Sequence, residues 1–370
     1  MNILVTGGLG YIGSHTVALL LRQGHEVTVL DNIERGHFLA ISPEVDFFNR
    51  DLKNTDDVAW VLYRKNIDLV IHFAGYAYVQ ESFYKPLQYW DNNVVGTASL
   101  IEAMLQNSVK DIIFSSTCAT YGNHVTPITE NTPQEPINPY GMSKLAVEQL
   151  LKSFSMSKYK IASIALRYFN AAGCDDLNDL GEDHRPETHL IPSILRHTYD
   201  QDEVPIPIYG TSNNTFDGTC CRDYVHVIDL AMAHVQAIKQ LERGKFKPYN
   251  LGTGKTHSVL EVIKACEEVT GYKIPIESRK GRPGDPESLM ADATLAETEL
   301  GWIPEHPDLL EMVQSAWNWL VKNPLGYGCP RYVRERVKKG TVGRKPNEEI
   351  KKKEKKRIKA EKRRKKNRKK

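Results

Sequence analysis

A short apolar, β-branched run at residues 3–6 passes directly into Gly7-Gly8-Leu9-Gly10-Tyr11-Ile12-Gly13, and an apolar segment of helical period follows. A strand that turns into a helix through G-x-x-G-x-x-G constrains the fold more than any other feature of the chain. The turn needs a residue without Cβ, the backbone must approach a pyrophosphate closely, and the helix must sit tight on its strand. The anion then rests on the helix N-terminus, where free N–H groups and the dipole favour negative charge. Gly7, Gly10 and Gly13 are therefore expected to cradle a dinucleotide. A second strand ends at Asp31, 18 residues after Gly13. A carboxylate there accepts from both ribose hydroxyls and repels a 2′-phosphate, which favours NAD over NADP. A turn former beside Asn32 is the structural alternative.

Further β-branched runs at residues 27–30, 68–73, 112–115 and 161–168 alternate with helical periods at 12–23, 55–65, 94–106 and 143–154. Strands without clean polar alternation, separated by helices, are what a parallel sheet covered on both faces requires. The first half is expected to be a doubly wound α/β domain over residues 1–175. Beyond it the pattern loosens into Pro, Asn, Asp and Gly clusters at 183–192 and 210–218, then resumes as short strand and helix signals. A smaller α/β domain over 176–330, contributing loops to a cleft, fits this pattern, with some later segments returning to the first domain.

Charge divides the chain differently. The formal net charge of +3 conceals a basic tail over 331–370, with 22 Lys/Arg against 5 Asp/Glu. The remaining 330 residues hold 27 Lys/Arg against 41 Asp/Glu, a net charge of −14. The tail is expected to be a solvated, disordered or transiently helical extension. Such basic runs also read as nuclear-localisation or nucleic-acid patches, but only Tyr332 interrupts them with an aromatic ring, so base stacking is not expected. No apolar stretch is long enough to span a membrane, and residues 1–6 run into a strand with no basic leader. The six cysteines form no C-x-x-C pair and have no His at metal-ligand spacing. They are expected to be reduced packing thiols in a cytoplasmic protein with no metal site.

Tyr140-Gly141-Met142-Ser143-Lys144 sets a phenol and an ammonium on one helical face. A free tyrosine is a poor base at neutral pH. A nearby ammonium and an oxidised nicotinamide both favour its phenolate, which then serves as general base on a sugar hydroxyl. Thr117, at the carboxyl end of a strand, lies where open α/β sheets bind ligands, and its hydroxyl can share that proton; a cap on the strand is the structural alternative for residues 115–117.

With these parts in order, the chain resembles the extended short-chain dehydrogenase/reductases and is similar to the UDP-glucose 4-epimerase group among them. The match is carried by the glycine turn, Asp31-Asn32, Asp51-Leu52, His72-Phe73-Ala74-Gly75, Asn92-Asn93, Ser115-Ser116-Thr117, Tyr140 with Lys144, and Tyr168. Further along it rests on Pro186-Glu187-Thr188-His189-Leu190-Ile191-Pro192, Arg222-Asp223-Tyr224-Val225-His226 and Arg282-Pro283-Gly284-Asp285. It covers about residues 1–328 and implies a Rossmann domain, bound NAD, a UDP-sugar substrate and a homodimer formed through the helices at 94–106 and 143–154. The resemblance implies Tyr140 as base, Thr117 as its hydroxyl partner and Lys144 as the ribose-binding lysine that depresses the tyrosine. It further implies that Tyr11, Ile12, Asn32, Asp51, Leu52, Phe73, Ala74, Asn92, Asn93, Ser115 and Tyr168 contact NAD. Asn170, Leu190, Ile208, Arg222, Tyr224, Arg282 and Asp285 would hold the UDP moiety, and Leu289 occupies the position of the family's sugar-pocket gate. A dianionic pyrophosphate in an acidic body needs local cations, and two arginine forks suit it.

Related dehydratases place an Asp-Glu pair directly after the hydroxyl residue. This chain has Cys118 and Ala119 there, and neither transfers that proton at ordinary pKa. Epimerisation at C4 is the reaction needing the fewest groups. Two departures bear on the substrate. Ala77 stands where these epimerases often carry a Lys, and Tyr78-Val79-Gln80-Glu81-Ser82 is similar to plant-type UDP-arabinose 4-epimerases, so pentose and N-acetylated sugars stay open. A catalytically silent NAD-binding sensor is the remaining alternative.

Overall fold

The computed structural model describes residues 1–328 apart from 125, 126 and 178. The basic tail expected over 331–370 lies outside the described residues.

The first half runs β1 (Asn2–Thr6), α1 (Tyr11–Arg22), β2 (Glu26–Asp31), β3 (Asp46–Asn49), α2 (Thr55–Arg64) and β4 (Leu69–His72). It continues with α3 (Val79–Tyr84), α4 (Pro86–Tyr89), a π-helical turn (Trp90–Val95), α5 (Gly96–Gln106), β5 (Asp111–Thr117), α6 (Pro139–Met156) and β6 (Ala162–Tyr168). These strands lie in one parallel sheet, in the order β6-β5-β4-β1-β2-β3. Both faces are buried. Ile3, Val5, Val29, Ile71 and Ile113 pack on the α1 side, and Leu4, Leu30, Val70 and Ile112 on the side of α2 and α5. Neighbouring residues of a strand point to opposite faces, so burial of both faces removes the polar alternation.

The second half adds β7 (Asn170–Ala172), α7 (Leu190–Asp200), β8 (Ile206–Tyr209), β9 (Cys221–His226), α8 (Val227–Ala237) and β10 (Phe246–Leu251). It ends with β11 (Thr256–Ser258), α9 (Val259–Thr270), β12 (Ile276–Arg279), β13 (Ser288–Leu289) and α10 (Leu309–Lys322). Two of these elements return to the first layer: β10 pairs parallel with β6 as the seventh strand, and α8 packs on α1. The others form a smaller body. Strand β9 pairs with β7, β11 and β13, β8 pairs with β12, and α7, α9 and α10 close over a core that includes Ile194, Val262 and Met312.

Helix α6 starts four residues earlier than its apolar period suggests. The side chain of Asn138 accepts from Gly141 N at 2.8 Å and Pro139 fills the first helical position. Both are N-terminal signals, and they place Tyr140 in the first turn. All five described cysteines are free thiols. Among the described residues, no helix is long and apolar enough to cross a membrane.

Candidate active site

A cleft of about 1370 Å³ opens at the carboxyl ends of the parallel strands, between the sheet and the smaller body. Of the residues expected to meet NAD, Gly7, Gly10, Tyr11, Ile12, Gly13, Asp31, Asn32, Asp51, Leu52, Phe73, Ala74, Asn92, Ser115, Lys144 and Tyr168 all line it. Thr117, Tyr140, Asn170, Leu190, Arg222, Tyr224, Arg282, Asp285 and Leu289 line the same cleft.

Two of the expected residues, Asn93 and Ile208, are not among those that line the cleft. Asn93 is buried behind the wall, where its Oδ1 accepts from Tyr76 N at 2.8 Å and its Nδ2 donates to Ser143 Oγ at 2.9 Å. It ties the loop after β4 to α6, and Asn92 is the one that reaches the cleft. Ile208 points into the core shared by α7 and α9, while Pro207 and Tyr209 on either side of it line the cleft. Tyr209 is the residue the sequence reading missed: the Arg282 guanidinium lies 3.5 Å from its ring centroid.

At the dinucleotide end, Gly7 adopts φ +70°, and a Cβ there would lie 2.5 Å from Ala74 N. A Cβ on Gly13 would lie 2.4 Å from Gly7 O. Helix α1 has no side-chain cap and no acidic residue in its first turn, so the positive end of its dipole is left for a ligand. Asp31 is almost buried, and its Oδ1 accepts from Ile33 N at 2.8 Å while Oδ2 accepts from Leu9 N at 3.2 Å. It is thus a loop former as well as a cleft residue. Burial raises its pKa against these two donors. The bare turn, the uncompensated helix end and the carboxylate fit a dinucleotide.

Ala77 leaves this wall without the Lys that is common there, but another cation is close. The Arg35 guanidinium lies 4.4 and 4.5 Å from the ring centroids of Tyr76 and Tyr78, and is held at 2.5 Å by Glu81. It lines the same cleft.

Thr117 ends β5 within the cleft, and its Oγ1 accepts from Ala119 N at 3.1 Å. It also hydrogen-bonds Tyr140, which favours the phenolate, yet burial outweighs this and holds the phenol well above its ordinary value. Lys144 Nζ donates to Ser115 O at 2.9 Å and lies 4.9 Å from the Phe114 ring centroid. Burial lowers its pKa to about 8, with Glu148 opposing. The expected depression of the tyrosine by Lys144 is therefore not a property of the protein groups alone. Cys118 is pushed up to about 12 by burial, which removes it as an acid or base at neutral pH.

The far end of the cleft is built on β9. Asp223 accepts from Thr253 N at 2.8 Å, Gly254 N at 3.0 Å and Ala291 N at 3.1 Å, fixing the loops beside Arg222. Leu289 pairs in register with Arg222 and packs in a cluster with Cys118 and Phe169.

Comparison with known proteins places this geometry. Residues 3–252 match the model of the NAD dependent epimerase/dehydratase family. The chain belongs to that family. The UDP-glucose 4-epimerase of Halalkalibacterium halodurans is 48% identical to this family member over 329 residues, 88% of this chain and 98% of that one. The crystal structure of UDP-glucose 4-epimerase from Bifidobacterium longum in complex with NAD+ and UDP is 40% identical, with TM-score 0.83 over 88% of this chain and all of that one. A probable UDP-arabinose 4-epimerase of Oryza sativa is 42% identical, over 89% of this chain and 82% of that protein.

Proposed function

We propose that this epimerase-family chain interconverts UDP-glucose and UDP-galactose at C4, using NAD that stays bound through turnover. One observation carries the reading: Tyr140, Thr117 and Lys144 share a cleft with a bare glycine turn at one end and Arg222, Arg282 and Tyr209 at the other, while Cys118 and Ala119 supply no further acid or base. That constellation supports oxidation and reduction at one carbon and leaves elimination without its groups.

When bound, NAD supplies reversible hydride acceptance at C4 of the sugar. Tyr140 as phenolate takes the proton from the 4-hydroxyl and returns it at the end of the cycle, and Thr117 orients that hydroxyl. Lys144 would hold the ribose, and its ammonium favours the Tyr140 phenolate against burial. Arg222 and Arg282 hold the diphosphate from one side, with Tyr209 offering a face for the uracil. Anchoring at the nucleotide leaves the 4-keto sugar free to turn over between its oxidation and its reduction. Arg35 supplies the cation that Ala77 lacks. We also propose a homodimer through α5 and α6, whose neighbourhood exposes Trp90, Val95 and Met142.

The test is incubation of the purified protein with each UDP-sugar, without added cofactor, followed by product separation. UDP-glucose and UDP-galactose are expected to interconvert, and Tyr140→Phe to retain UDP-sugar binding while losing turnover. Absence of interconversion with every UDP-sugar, or substantial turnover by Tyr140→Phe, overturns the reading. Interconversion of pentose forms alone would replace the sugar and keep the reaction.

A further inference from the structure

The loop between β7 and α7 carries Glu182-x-His184-x-x-Glu187-x-His189, a spacing the catalytic reading leaves unused. All four side chains line the cleft, and their ligand atoms lie within 4.8 Å of one another. Among the described residues, this is the one group of three or more His, Cys, Asp or Glu side chains placed to share an ion. Glu182 Oε1 lies 2.9 Å from His184 Nδ1 and 2.5 Å from His189 Nδ1. The Glu187 carboxylate lies 3.7 Å from His184 Nδ1 and 3.5 Å from His189 Nδ1. These separations bracket the edge of about 3.3 Å in a tetrahedron whose metal–ligand bonds are about 2.0–2.1 Å.

Two details of the geometry suit an ion shared among these pairs. His184 Nδ1 is buried and makes no hydrogen bond of proper geometry, despite the nearby carboxylate. Glu187 Oε1 is oriented by the N–H groups of Thr188 at 2.8 Å and His189 at 2.8 Å, leaving Oε2 as the freer oxygen. A carboxylate fixed by backbone donors is the outer support that metal ligands use. Tyr78 packs edge-on against both imidazoles, with ring centroids 5.6 and 6.0 Å away. It limits their freedom to turn away.

We propose that Glu182, His184, Glu187 and His189 form a binding site for one divalent transition-metal ion, with zinc as the occupant that suits the mixed nitrogen and oxygen set. Two carboxylates balance the charge of one divalent ion once it has displaced the protons that Glu182 and Glu187, against burial, favour on both imidazoles. The ion would tie the loop to Leu190 at the start of α7 and add positive charge to a cleft suited to anionic ligands.

The experiment uses the full chain, freed of metal by chelator dialysis and then equilibrated with zinc. Metal content per chain is expected to reach one. His189→Asn and Glu187→Gln are each expected to weaken zinc binding by at least about tenfold, while His306→Asn, in the exposed pair with Glu311, leaves it unchanged. Cobalt(II) titration should give the visible bands of a tetrahedral nitrogen and oxygen site without a thiolate charge-transfer band. Thermal melts of the metal-free variants check folding, and if both are unfolded the cobalt spectrum of the unaltered chain decides. Failure to retain about one zinc per chain, equal binding by folded variants, loss in His306→Asn, or a thiolate band overturns the proposal. None of these readouts depends on epimerase activity.

Discussion

Arg167 Nη2 donates to Glu148 Oε2 at 2.6 Å, with side chains 4% and 1% exposed. Arg167 Nε also donates to Glu148 Oε1 at 3.0 Å, and Nη1 reaches Tyr121 Oη at 2.8 Å. The fork joins β6, which carries Tyr168, to α6, which carries Tyr140 and Lys144. Removing one partner of a buried pair leaves an uncompensated charge and costs about 3–5 kcal/mol, whereas removing both in favour of apolar groups costs far less. Glu148→Gln is expected to lower unfolding stability by about that amount, and Glu148→Met with Arg167→Met to recover much of it. Urea unfolding of both variants checks this, and a loss below about 1 kcal/mol in the single variant would refute it.

Lys144 presents a cost that the fold bears for chemistry. Its pKa falls from 10.5 to about 8 on burial, so the native state disfavours the ammonium by roughly 3 kcal/mol. The penalty is complete below pH 8 and fades as pH rises towards 10.5, because the lysine is then neutral in the native state and increasingly so in the unfolded one. Lys144→Met should therefore raise the melting temperature of the cofactor-free protein at pH 7, with a gain that shrinks by pH 10, while turnover is lost. A gain independent of pH would show that desolvation of the ammonium is not its source.

The parallel sheet is legible in the sequence because burial on both faces writes each central strand as an unbroken apolar run. Strand β3, Asp-Phe-Phe-Asn at the sheet edge, escapes notice because its two end residues are exposed. Resemblance singles out segments that line the cleft but not which neighbour within each faces it. Asn92 and Asn93 sit together in a π-helical turn, and Pro207, Ile208 and Tyr209 alternate along a strand, so facing is decided by local geometry. Cysteine spacing does not reveal the loop at 182–189, which contains no cysteine. Its signal was the E-x-H-x-x-E-x-H spacing itself.

Arg35 lines the cleft with its guanidinium against the Tyr76 and Tyr78 rings, which flank Ala77 in sequence, and paired with Glu81. Arg35→Gln removes the charge and the stacking plane together. The expected result is faster loss of NAD on gel filtration and a need for added NAD to sustain turnover, with kcat at saturating NAD changed less than cofactor retention. Ala77→Lys in the same background should restore retention. Unaltered cofactor content in Arg35→Gln would assign the arginine to the loop alone.

Under the proposed reading, Leu289 limits the room for the sugar. It pairs with Arg222 and packs in one cluster with Cys118 and Phe169 while lining the cleft, so a larger side chain there has little buried space to retreat into and must project towards the ligand. With leucine present, an N-acetyl group at C2 is expected to fit, and UDP-N-acetylglucosamine to be epimerised alongside UDP-glucose. Leu289→Tyr should lower kcat/KM for the N-acetylated sugar by at least about tenfold relative to UDP-glucose, the order that a steric change in a sugar pocket produces. The readout is the ratio of the two kcat/KM values. A ratio unchanged by the substitution would place the control of sugar size elsewhere in the cleft.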